Sequence, residues 1–171
     1  MKNFDKEDFS RVATNGFNDP MNNYAFSMTE FNGDIYVGTN RNFLCQIFEV
    51  LEEADATPDD FEFVPFTCAS GEPWSYERAQ DMCGEIWRYR DTEWELVYRS
   101  EPIFLPGYLG LPGLPDEGGW AAKEPGFRNR ITFTDRWGEK AIYAASDLSM
   151  VPGRLLLWSY LETSGYSTLY G

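Results

Sequence analysis

The side chains able to do chemistry in this 171-residue chain are carboxylates, guanidiniums, amides and three thiols; histidine is absent. Without histidine, Ser-His-Asp and Cys-His catalysis, imidazole metal ligation and an imidazole pH switch are excluded together. Carboxylates remain for hydrolysis, which needs two of them about 5–10 Å apart across one cleft. Glu30, Asp135 and Asp147 are candidates by elimination. Glu30 and Asp135 fall at equivalent places in two similar segments, which fits a repeated structural role better than a division of catalytic labour. No nucleophile elbow, phosphate loop or dinucleotide fingerprint occurs. No catalytic residue is assigned, and a non-catalytic protein without a cofactor is expected.

Metal and thiol chemistry read in the same way. Glu49, Glu52, Glu53, Asp55, Asp59, Asp60 and Glu62 form an acidic run with no basic residue, and calcium takes carboxylate oxygens. The run lacks the alternating ligands and central glycine of a calcium loop, so a solvated acidic loop is expected and no metal ligand is assigned. Cys45, Cys68 and Cys83 are an odd number without C-x-x-C spacing. Reduced structural thiols are expected, with a Cys68–Cys83 disulfide as the alternative.

The elements that must position these groups follow from composition. With 14 Lys+Arg against 28 Asp+Glu, the net charge is −14, which argues against a nucleic-acid partner because phosphate binding needs clustered cations. No run of about 18 apolar residues exists for a spanning helix, and the opening MKNFDKEDFSRVATNGF has no continuous apolar stretch. A soluble, cytoplasmic chain without a membrane partner is expected. The chain holds 13 Phe, 10 Tyr and 6 Trp with 15 Gly and 10 Pro, a mixture that favours short strands and tight turns. The fold class expected is all-β.

Two segments repeat. Tyr24 to Thr39 reads as strand, Asn32-Gly33 turn and strand, since Asn-Gly suits a type I′ hairpin. Asn129 to Ser146 repeats it through Gly138, with a turn two residues longer. Each hairpin is followed by a second strand pair, Gly84 to Ser100 and Gly153 to Gly171, in which Ile86-Trp87-Arg88-Tyr89 matches Leu157-Trp158-Ser159-Tyr160. Two four-strand meanders are expected.

Tandem four-stranded antiparallel units are the signature of propeller blades. The pattern Tyr24-x-x-Ser27-Met28-x-x-Phe31-x-Gly33-x-Ile35-Tyr36-Val37-Gly38-Thr39, then Ile86-Trp87-Arg88-Tyr89 and Trp94-Glu95, resembles the blades of kelch and galactose-oxidase-type β-propellers. It is most similar to bacterial members opening with an Asn-rich stretch such as Gly16-Phe17-Asn18-Asp19-Pro20. The double glycine of the kelch second strand is replaced here by Val37-Gly38-Thr39 and Ala144-Ala145-Ser146. Copper oxidase chemistry does not carry over, because that site uses histidines. Arg90-Asp91-Thr92-Glu93-Trp94 echoes a sialidase Asp-box without its glycine or spacing.

The resemblance implies one partial propeller domain. Blade 1 covers about 22–100 with an acidic insertion at 51–83, a linker loop covers 101–127, and blade 2 covers about 128–171. Propellers carry about 4–8 blades, so two leave an incomplete ring, to be completed by oligomerisation or a partner. Protein binding or assembly is the expected function, with a carbohydrate-binding propeller or a fragment of a propeller hydrolase or oxidase as alternatives.

In a propeller the loops before the first strand and after the second open on one face. They contribute Asn23, Tyr24, Asn40 and Arg41 from blade 1, and Arg128, Asn129, Arg130 and Asp147 from blade 2. These amides and guanidiniums beside aromatics suit a sugar or a carboxylate-bearing ligand. Arg41 and Arg130 stand out. Trp74, in a short helix expected from Trp74 to Met82, joins Trp94, Leu111, Leu114 and Tyr166 as candidates for a partner interface. The Pro- and Gly-rich linker is expected to hold no strand.

Overall fold

The computed structural model describes residues 5–14, 16–42, 45, 68–109, 111, 113–134, 136–146 and 166–169. The acidic run from Glu49 to Glu62, Asp135, Asp147 and the segment 153–165 lie outside them.

The structure is all-β in character, and the described residues build three antiparallel sheets. The first is a four-stranded meander of β1 (Tyr24–Phe31), β2 (Asp34–Asn40), β3 (Glu85–Arg90) and β4 (Glu93–Arg99), in that spatial order. Its first turn forms as the sequence requires. Asn32 and Gly33 both take positive φ, 54° and 87°, the pair of left-handed residues a type I′ hairpin demands. The Glu30 carboxylate accepts the Gly33 N–H at 2.7 Å, so this candidate acid serves the turn.

The linker departs from expectation. Pro102–Leu105 (β5) and Gly119–Ala122 (β6) pair as a two-stranded ribbon, because within the strands the punctuation falls only at their first positions, Pro102 and Gly119, where a strand tolerates it. The expected helix is shorter than its sequence window: α1 spans Tyr76–Asp81, capped by the Ser75 hydroxyl, which accepts the Arg78 N–H at 3.2 Å. Pro73 and Trp74 stay outside it, Trp74 at φ 63°. Tyr76 meets Trp120 edge-on at 5.0 Å, and Trp120 meets Phe104 at 5.5 Å. These rings fasten α1 to the ribbon.

The third sheet contains β7 (Phe127–Thr134), β8 (Lys140–Ser146) and β9 (Tyr166–Leu169). Here too the strand order is corrected. Tyr166 belongs to the strand that pairs directly with β8, opposite Ala145, where the repeat placed it in an outermost fourth strand.

The core lies where the first and third sheets stack. Phe31, Tyr36 and Ile86 from one face meet Phe127, Ile142 and Ala144 from the other, with Val97 and Tyr98 at the edge. Each fully buried large apolar side chain contributes about 1.5–3 kcal/mol over exposure. Hydroxyls stitch the sheets: Ser27 donates to the Phe127 carbonyl, and Thr132 donates to the Glu30 carbonyl at 3.2 Å.

The cysteines depart from both expectations: of the three thiols expected reduced only Cys83 is, and the disulfide is not Cys68–Cys83. Cys45 and Cys68 form a disulfide, with Cα atoms 5.7 Å apart. Cys83 is a buried free thiol donating to the Ala79 carbonyl at 3.2 Å. Burial pushes its pKa up to about 11, outweighing the Ser100 hydrogen bond and the nearby Arg99 and Arg41 charges.

Candidate functional site

The loops named by the repeat converge where β2 ends and β7 begins, and they divide into a satisfied network and an unsatisfied one. The satisfied network surrounds Arg41, whose side chain is 2% exposed. Its Nη1 meets Asp19 at 2.7 Å, Glu85 at 3.1 Å and the Asn22 carbonyl oxygen at 3.2 Å, while Nε donates to the Asp81 carbonyl at 2.8 Å. Glu85, equally buried, also accepts from Asn22 at 2.6 Å and from the Trp87 indole at 2.9 Å. Arg99 lies 3.7 Å away.

Burial pushes the Asp19 carboxyl up, but the Arg41 hydrogen bond and charge and the Met21 N–H overcome it, leaving the pKa below its ordinary value. A buried charge set of this kind persists only when each lone pair and proton finds a partner. Arg41 therefore ties the loop before β1 to the end of β2 and the start of β3. Its Nε and Nη1 are engaged by the chain itself.

The second network has the opposite character. Asn40 is fully buried, yet neither its side-chain oxygen nor its nitrogen has a hydrogen-bond partner. All three guanidinium nitrogens of Arg130 are likewise buried and unpaired, as are both polar atoms of Asn23 and the Ser146 hydroxyl. Burial alone pushes the Arg130 pKa down to about 10, so the group stays charged at neutral pH.

Backbone pairing brings most of these groups together. Asn40 bridges Gly126, whose missing Cβ would come within 2.7 Å of the Asn40 side chain. Ser146 is the register partner of Phe127. A Cβ on Gly38 would collide with Arg130 Nη2 and come within 2.8 Å of Phe127 Cβ. Gly38 and Asn40 share one face of β2, as alternation requires. Arg130, Asn40 and Ser146 thus surround Phe127 in the seam between the sheets. Asn23 lies at the same end, one residue before Tyr24, which pairs with Asn40.

The remaining candidates sit elsewhere. Tyr24 and Arg128 are exposed at the rim, where the Phe26 ring lies 5.1 Å from Tyr24 and 5.6 Å from the Arg128 guanidinium carbon. Asn129 pairs through its backbone with Ala145.

Of the interface candidates, Trp74 is half-buried and its carbonyl accepts the Trp120 N–H at 2.8 Å; Leu111 and Leu114 are also half-buried. Trp94 is covered by the N-terminal segment. Its indole donates to the Val12 carbonyl at 2.7 Å, and Phe17 meets Trp94 edge-on at 4.7 Å and stacks on Trp87 at 5.2 Å. Glu85 and Asp19 were not singled out by sequence as members of the buried network. An acidic residue opening a strand reads as exposed, and only the fold shows the cation it meets.

Among the described residues no helix is long and apolar enough to cross a membrane. Comparison with family models, with curated proteins and with solved structures found no match.

Proposed function

We propose that this chain is a non-catalytic assembly module of β-propeller type, whose two stacked sheets act as consecutive blades and bury their outward faces against neighbouring protein. One observation carries the reading. The sheets stack through apolar inner faces, and their outer faces are apolar as well: Met28 (67% exposed) and Leu96 (41%) on the first, Ile131 (62%) and Phe133 (53%) on the third. A sheet that ends a stack has no need for apolar side chains outside it, and exposed patches of this kind mark interaction surfaces. An incomplete ring supplies the reason for them.

Light scattering of the purified chain tests the reading. An assembly of two or more copies, or a co-purifying protein, is expected, and Ile131→Glu with Phe133→Glu should dissolve it. A monomer that unfolds cooperatively with no partner bound overturns it.

Carbohydrate binding is a second reading, supported by the exposed Tyr24 and Arg128 on either side of the half-buried Phe26 ring, since sugars lie against aromatic faces flanked by planar donors. A glycan array with Tyr24→Ala as control separates it from the first. The Cys45–Cys68 disulfide supports a setting oxidising enough to maintain it, in place of the reducing cytoplasm.

A further inference from the structure

Among the described residues, Arg130 has a guanidinium whose nitrogens are buried and meet no anion. Arg130 stands on β7 with its guanidinium pressed over Gly38, all three nitrogens out of solvent and none paired. An uncompensated buried charge is among the costliest features a fold can carry. Asn40, independently, is fully buried with its whole amide group unpartnered, and the Ser146 hydroxyl is in the same condition. Three unsatisfied side chains from three strands around Phe127 make an incomplete site, in contrast to Arg41, whose Nε and Nη1 are paired.

We propose that this seam binds a small monocarboxylate, with the Arg130 guanidinium holding its two oxygens and Asn40 and Ser146 donating from the flanks. The chemistry selects the class. A neutral molecule satisfies the amide and the hydroxyl but leaves the guanidinium charge unpaired. A dianion such as phosphate cancels that charge and leaves one of its own in a dry seam. A carboxylate carries one charge, is planar, and matches the parallel N–H groups of a guanidinium as a two-point pair. Arg128 adds no second charge within the seam, since it is exposed over Phe26. The −14 net charge of the chain also disfavours the approach of multiply charged anions. The site is independent of the assembly reading, because both sheets that form it belong to one chain.

Thermal unfolding of the full chain tests the proposal, with sodium acetate, sodium chloride at matched ionic strength, and inorganic phosphate as separate arms. Bound anion stabilises the folded state in proportion to the logarithm of its concentration once above its Kd. Acetate is expected to raise the midpoint progressively, with chloride and phosphate giving a smaller response. Arg130→Met should abolish the acetate response and raise the midpoint without acetate by about 2–4 °C, since an unpaired charge is gone. Arg130→Lys retains a charge while removing the fork, and should weaken acetate binding at least tenfold; it keeps the test decisive if the methionine variant does not fold. The proposal is overturned if acetate acts no more strongly than chloride, or if both Arg130 variants respond as the wild type does. A phosphate response equal to that of acetate overturns the carboxylate assignment.

Discussion

Asp91 and Thr92 join β3 to β4 with φ of 48° and 72°, a two-residue left-handed turn made without glycine. Thr is poorly suited to that conformation because its branched Cβ crowds the backbone, at a cost on the order of 1–3 kcal/mol. Thr92→Gly is therefore expected to raise stability by about 1 kcal/mol after its own entropy cost, as urea unfolding would show. Asp19 makes the second prediction. Its folded pKa lies below the ordinary 3.8, so its contribution is present above that value and is lost as pH falls through the folded pKa. Between pH 6 and pH 3 the melting temperature of Asp19→Asn should fall less steeply than that of the wild type. Asn40 and Arg130 were legible in the sequence, because the repeat placed both at strand ends near one another. That Arg41 would be paired and Arg130 unpaired was not, since the difference depends on Glu85, brought in from a strand 44 positions further on.

At the scale of elements, legibility follows how local the cause is. The β1–β2 hairpin could be read directly because Asn32-Gly33 supplies the turn conformation itself, and the meander order followed from matched strand pairs. The β5–β6 ribbon was hidden. Its strands are four residues each, too short for a period to show, and they form because Tyr76, Trp120 and Phe104 lock them to α1. The disulfide was hidden for a related reason: spacing cannot indicate which of three thiols meet, and the fold brings Cys45 to Cys68. It closes a loop with a sequence separation of 23, worth about 3 kcal/mol by restriction of the unfolded chain. A reducing agent should lower the melting temperature by several degrees, whereas Cys45→Ser with Cys68→Ser should show no response to it.

For the whole molecule, stability rests on the stack of the first and third sheets. Ile86 is fully buried between them, and Ile86→Ala is expected to cost about 2–5 kcal/mol, measurable by denaturant unfolding with both sheets lost in one transition. The stacking itself was not visible along the chain, because inner and outer faces of these sheets are apolar alike. Alternation alone cannot say which face is covered. The clasp of Val12 and Phe17 on Trp94 also has a meaning in time. The Trp94–Val12 hydrogen bond spans 82 positions, so the early segment has no native surface to settle on until β3 and β4 have been synthesised. Contacts of such separation are slow to close. During synthesis Phe17 waits as an exposed aromatic, and its arrival on Trp87 and Trp94 becomes a late event that tryptophan fluorescence would time.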